Sequence, residues 1–171
     1  MKSQEIALCG LLSALAVCAL ILGGVIPAAV LCGPMLAMLV LLPLREEYGV
    51  RTAGAAYAAV SILGGLLTPD PETALVFWTF GWYPLLQPSI DRVRTKALRL
   101  VFRLLACNAA IAALYWVGLH LLGLADLTVS AVWLEVLFWV WANGLFLLND
   151  KLLHRFAALW RHKLRRRLLH K

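Results

Sequence analysis

The sequence has 171 residues, 63% of them hydrophobic and 15% charged, with a mean hydropathy of +0.84. A soluble domain is about half apolar and a quarter charged, so an ordinary water-soluble fold is excluded, and at roughly 17–25 apolar residues per span the length suits about six transmembrane helices in one bundle. The formal net charge of +7 comes with no recognisable nucleic-acid motif, which points the excess basicity toward a membrane surface.

Breaks at charges, Pro and Gly divide the chain into apolar spans near 5–22, 28–44, 52–68, 74–90, 100–124 and 129–148. The first span lacks an Ala-x-Ala-type cleavage site and is expected to stay as a helix. A short uncharged turn, Gly23-Gly24-Val25-Ile26-Pro27, follows it, and Gly33-Pro34 is expected to break or kink the second helix near its start. The third span is rich in small residues. It stops at Thr68-Pro69-Asp70-Pro71-Glu72-Thr73, where Thr73 is the expected cap of the fourth helix. Residues 149–171 are expected to form a basic amphipathic helix at the cytoplasmic membrane surface, with Leu152, Leu153, Phe156, Leu159, Trp160, Leu164 and Leu168 on its apolar side. Cys9, Cys18, Cys32 and Cys107 all fall in apolar stretches without a Cys-x-x-Cys pair, so they read as small packing residues and suggest neither disulfide nor zinc.

Lys and Arg near span ends are retained in the cytoplasm. Lys2 precedes the first span; Arg45 and Arg51 flank the second turn; Arg92, Arg94, Lys96, Arg99 and Arg103 surround the fourth; and Lys151, Arg155, Arg161, Lys163, Arg165, Arg166, Arg167 and Lys171 follow the last. These are all sixteen basic side chains, whereas the alternate turns hold only Asp70, Glu72 and Asp126. The fold expected is therefore all-α, an integral membrane bundle of six helices with both termini in the cytoplasm.

Glu135 is the most informative single residue, because an ionisable group inside a span is costly unless paired or solvated. Helical spacing puts it in one stripe with Trp139 and Asn143. It reads either as a ligand contact or proton-linked group, or as a protonated acid hydrogen-bonded in the bundle. The fifth span offers Asn108, Tyr115, Trp116 and His120. A His near an interface is commonly a solvated or capping residue, and an amide within a span commonly joins helices. In the fourth span, Trp78 and Trp82 stand one turn apart, as an aromatic wall or as core. Together these groups suit an amphipathic small molecule entering from outside. Hydrolase, zinc-protease and nucleotide-binding motifs are absent from the sequence, and no cofactor is suggested. In the first span Gly10, Ala14 and Cys18 recur every four residues, with Ala7 and Ser13 widening a small face that another helix can approach closely, from this chain or a partner.

This topology and length, opening with Ile6-Ala7-Leu8-Cys9-Gly10-Leu11-Leu12-Ser13-Ala14-Leu15-Ala16, resembles the substrate-binding S components of energy-coupling-factor (ECF) vitamin transporters. In that family an Ala-x-x-x-Ala face on the first helix docks on a transmembrane coupling (T) subunit driven by two ATPase subunits, and Gly10 to Ala14 would fill that role here. The resemblance also implies an outward pocket for a vitamin-like ligand near Trp78, Trp82, His120 and Glu135. A lone acid among aromatics suits a ring compound with a hydrogen-bond donor or positive charge, such as a thiamine-like or pyridine molecule. Two other readings stay open: a scaffold subunit similar to the rod-shape-determining MreD proteins, and an intramembrane enzyme using Glu135 and His120 as an acid-base pair.

Overall fold

The computed structural model describes residues 3–26, 29–120 and 132–164. Lys2, Pro27, Asp126, Leu168 and the basic residues from Arg165 onward lie outside them, as do the side chains of Lys163 and Leu164. Among the described residues the protein is all-α without strands: α1 (Ser3–Val25), α2 (Cys32–Leu67), α3 (Pro71–Phe80), α4 (Tyr83–Asp91), α5 (Lys96–His120) and α6 (Val132–Leu159), which ends in a π-helical turn, Trp160–Leu164. Four segments are long and apolar enough to cross a membrane, Glu5–Val25, Cys32–Leu67, Lys96–Val117 and Val136–His162. Contacts divide the chain into two compact units, Met1–Gln87 with Leu152–Lys171, and Pro88–Lys151.

In the first unit α2 is two arms, not one rod. At 1.5 Å per residue a straight 36-residue helix would be about 54 Å long. Yet both of its ends meet the same end of α1. A Cβ placed on Gly23 would lie 2.7 Å from the Gly33 Cα, one on Gly24 would lie 2.7 Å from the Thr68 side chain, and one on Gly64 would lie 2.7 Å from the Leu20 side chain. The reversal is at Gly49, whose φ of 85° and ψ of −179° interrupt the helix. Only glycine adopts that conformation readily, and arms 32–48 and 50–67 run back along each other from it. Gly33-Pro34 does not kink this helix: Pro34 lies in the first turn, where its missing N–H removes no helical bond. Ala16, Leu20, Met38, Leu42, Val60 and Phe77 are buried in this core.

The segment expected as one span over 74–90 is two short helices, α3 and α4, separated at Gly81-Trp82. Its cap is Asp70, not Thr73. The Asp70 carboxylate accepts from the Glu72 and Thr73 amides and from the Thr73 hydroxyl, with Pro71 in the first turn. α3 is fastened to the second arm of α2. The Tyr57 hydroxyl donates to the Trp78 carbonyl at 2.8 Å and the Trp78 indole N–H donates to the Ser61 carbonyl at 2.8 Å. In α4, Pro88 sits four residues after Pro84 and has no N–H to donate to the Pro84 carbonyl. The Arg45 guanidinium takes that place, and also meets Glu46 and, at 3.4 Å, the buried amide oxygen of Gln87.

α6 continues through Leu148-Asn149 without a break. Of the side chains expected on the apolar side of a surface helix, Leu153 and Trp160 are buried in the protein together with Ala157, whereas Leu152 and Leu159 are exposed among Lys151, Arg155 and Arg161. The Trp160 indole N–H donates to the Glu47 carboxylate at 3.0 Å, and Arg161 lies 3.6 Å from Glu46. The end of this helix is therefore tied to the residues just before the Gly49 reversal.

In the second unit two polar contacts join α5 to its neighbours. Arg103 reaches Asp91 at 2.7 Å with one terminal nitrogen and Asp150 at 2.6 Å with the other. Asp150 is 1% exposed, so its contact with Arg103 is a buried ion pair. Nearer the helix middles, Asn108 and Asn143 exchange amide hydrogen bonds at 3.3 and 3.4 Å.

Candidate functional site

The residues singled out from the sequence fall in both units. In the unit Met1–Gln87 with Leu152–Lys171, Trp78 is half-exposed, and its ring edge lies where a side chain on Gly65 would stand, 2.5 Å from an added Cβ. Its N–H is engaged by Ser61, so what it still offers is an apolar ring surface. Trp82 lies at the turn between α3 and α4 and is half-buried. The helix break between them removes the shared face that continuous helical spacing implies.

In the unit Pro88–Lys151, Asn108 is paired with Asn143 in a closed arrangement. Each amide nitrogen also donates to the carbonyl four residues back, Leu104 for Asn108 and Trp139 for Asn143, both at 2.8 Å. All four amide donor positions are thereby engaged. Asn108 thus joins α5 to α6. The stripe expected through Trp139 and Asn143 holds, and Trp139 is half-buried. Tyr115 and Trp116 are exposed on α5. The side chains of His120 and Glu135 lie outside the described residues; their backbones belong to α5 and α6.

On α1, Gly10, Ala14 and Cys18 are all exposed, and nothing lies within 4 Å of a Cβ built on Gly10. Leu11 and Leu15 beside them are exposed too. The opposite side of the same helix holds Ala16, Leu20 and Gly23 in the core. The small-residue stripe is thus not used for packing within its own unit. Among the described residues no group of three or more His, Cys, Asp or Glu side chains stands close enough to hold a metal, and the cysteines described are free thiols.

Sequence reading missed the Arg103 contact with Asp91 and Asp150, and the Arg45 contact with α4. One available signal was the pair of prolines four apart, Pro84 and Pro88, which leaves a carbonyl without its helical donor. Another was an Arg seven residues inside α5, with one acid at the end of α4 and another inside α6. No family model, curated protein or solved structure matches the chain.

Proposed function

We propose that this chain is a six-span substrate-binding subunit of an ECF-type transporter, capturing a vitamin-like small molecule from outside for uptake driven by a T subunit and two ATPase subunits. The observation that carries this reading is the exposed stripe of Gly10, Ala14 and Cys18 on a helix whose other side buries Ala16, Val17 and Leu20. In lipid, where apolar surface alone brings no helices together, close approach across small residues is the main source of helix association. A stripe unused at home suits a helix from another subunit. The four apolar helices, counted with the two arms of α2 and the broken α3–α4 segment, supply six crossings. The one-sided basic residues then put both termini in the cytoplasm of a cell-membrane protein. Ligand would meet the outward half of α5 and α6, the stretch to which the sequence assigns Glu135, Trp139, Tyr115 and His120. The chain has no nucleotide motif of its own, so transport energy comes from the partners and the chain is not an enzyme.

Gentle extraction followed by native mass spectrometry tests this directly. The expected result is one copy of the chain with coupling and ATPase subunits and a retained small molecule. Ala14→Trp should abolish copurification of the ATPases while leaving the ligand in place, and Glu135→Gln should weaken ligand binding at least tenfold. The same exposed stripe also suits an MreD-like scaffold subunit. Copurification of other membrane proteins without ATPases, no retained small molecule, and an unaffected Glu135→Gln variant would establish that alternative and end the transporter reading.

A further inference from the structure

We propose that the end of the Pro88–Lys151 unit bearing Arg92, Arg94, Lys96 and Lys151 is a binding surface for the headgroups of anionic phospholipids. This goes beyond the transport reading and does not depend on it. Arg103 holds both Asp91 and Asp150, so the α4–α5 turn and the Asp150-Lys151 step of α6 belong to one end of this unit. Both acids there are engaged by this one guanidinium, which offsets one of their two negative charges. Arg92, Arg94, Lys96 and Lys151 are exposed around it, with no acidic partner among the described residues. Arg99 is turned inward, donating to the Val93 carbonyl at 3.1 Å. Four cations are left at the surface without an ion-pair partner among the described residues, so this end carries a net positive charge.

Immediately beside it, Leu98, Val101, Phe102 and Leu105 recur at three- and four-residue spacing along one face of α5, and all four are exposed. An occupant must therefore bring negative charge to the turn and hydrocarbon to the adjoining helix face. An anionic phospholipid has both in one molecule, at the separation that a headgroup and its acyl chains have. A free phosphate lacks the hydrocarbon, and an acidic protein segment leaves the leucine face uncovered.

The test is native mass spectrometry of the full chain in detergent, titrated with phosphatidylglycerol and, separately, with phosphatidylcholine. Phosphatidylglycerol should bind more tightly, and R92Q/R94Q/K96Q should weaken it at least tenfold, given about fivefold per basic residue near an anionic surface. Phosphatidylcholine should be unaffected, and the charge-keeping R92K/R94K/K96R variant should bind as the parent does. Three results would overturn the proposal: unchanged phosphatidylglycerol binding in the glutamine variant, an equal loss caused by Arg155→Gln in the other unit, or displacement of the lipid by equimolar inorganic phosphate or polyglutamate. If the glutamine variant does not fold, the same titration of the parent at rising salt decides. Loss of the phosphatidylglycerol preference supports the proposal and a salt-independent preference refutes it.

Discussion

The α1–α2 contact of the first unit and the contacts around α5 in the second hold helices together by different means. Where α1 meets α2 the contact is made by what is missing: Gly23 and Gly33 bring backbones so close that either Cβ would fall within 3 Å of the other residue's Cα. In Pro88–Lys151 the contact is made by polar groups, with Asn108 facing Asn143 and Arg103 holding Asp91 and Asp150. Both are solutions to the same problem. Helices in lipid gain little from hiding apolar surface, so they associate through dispersion at close range or through hydrogen bonds and ion pairs. The first kind tolerates no added atom; the second tolerates no unmatched partner.

Substitutions can break each kind separately. Arg103→Met should have the largest effect, about 3–5 kcal/mol of lost stability, because it removes one side of the ion pair with the buried Asp150. Adding Asp150→Asn to that variant should recover part of the loss, and denaturant unfolding in detergent followed by circular dichroism measures both. Gly23→Val should cost about 3 kcal/mol, the upper part of the usual range for overpacking, because its new Cβ meets backbone that cannot rotate away. Gly10→Val, on the open side of the same helix, should be close to neutral, because Val is no worse a helix former than Gly and a Cβ there meets nothing within 4 Å, and this contrast would fail if the two variants unfolded alike. Asn108→Ala should cost about 1 kcal/mol, in line with interhelical hydrogen bonds between membrane helices. A double-mutant cycle with Asn143→Ala should recover most of that as coupling. Trp78→Phe should have the smallest effect, about 0.5–1 kcal/mol for the lost bond to Ser61.

The all-α class and the long apolar helices were legible because hydropathy reports solvent directly. The small face of α1 was legible as a stripe, and the structure adds that this stripe points away from its own core. Less legible were the features set by partners remote in sequence. Asn108 finds Asn143 across 35 positions and Arg45 finds Pro84 across 39, distances over which no local periodicity carries information. The break at Gly81-Trp82 was hidden because hydropathy is continuous through it; only Gly81 and Pro84, three residues further, marked it. Asp70 and Thr73 are both good cap residues, and the choice fell to Asp70 because its carboxylate reaches two amides at once with Pro71 already fixing the first turn. Glu135 and His120, on which the ligand reading leans most, lie outside the described side chains.

The reversal at Gly49 has a consequence for how the protein enters a membrane. No atom outside its own stretch of chain lies within 4 Å of where a Cβ would be, so the corner is written in a single pair of torsions rather than imposed by neighbours. It can form as soon as residues 32–67 have been synthesised, before α3 or α6 exist to brace it. The arms can then fold as a helical hairpin, with Arg45, Glu46, Glu47 and Arg51 close in sequence to its corner. An L-residue at this position would disturb insertion at that early step, and a D-alanine, whose torsional preference matches, would restore it.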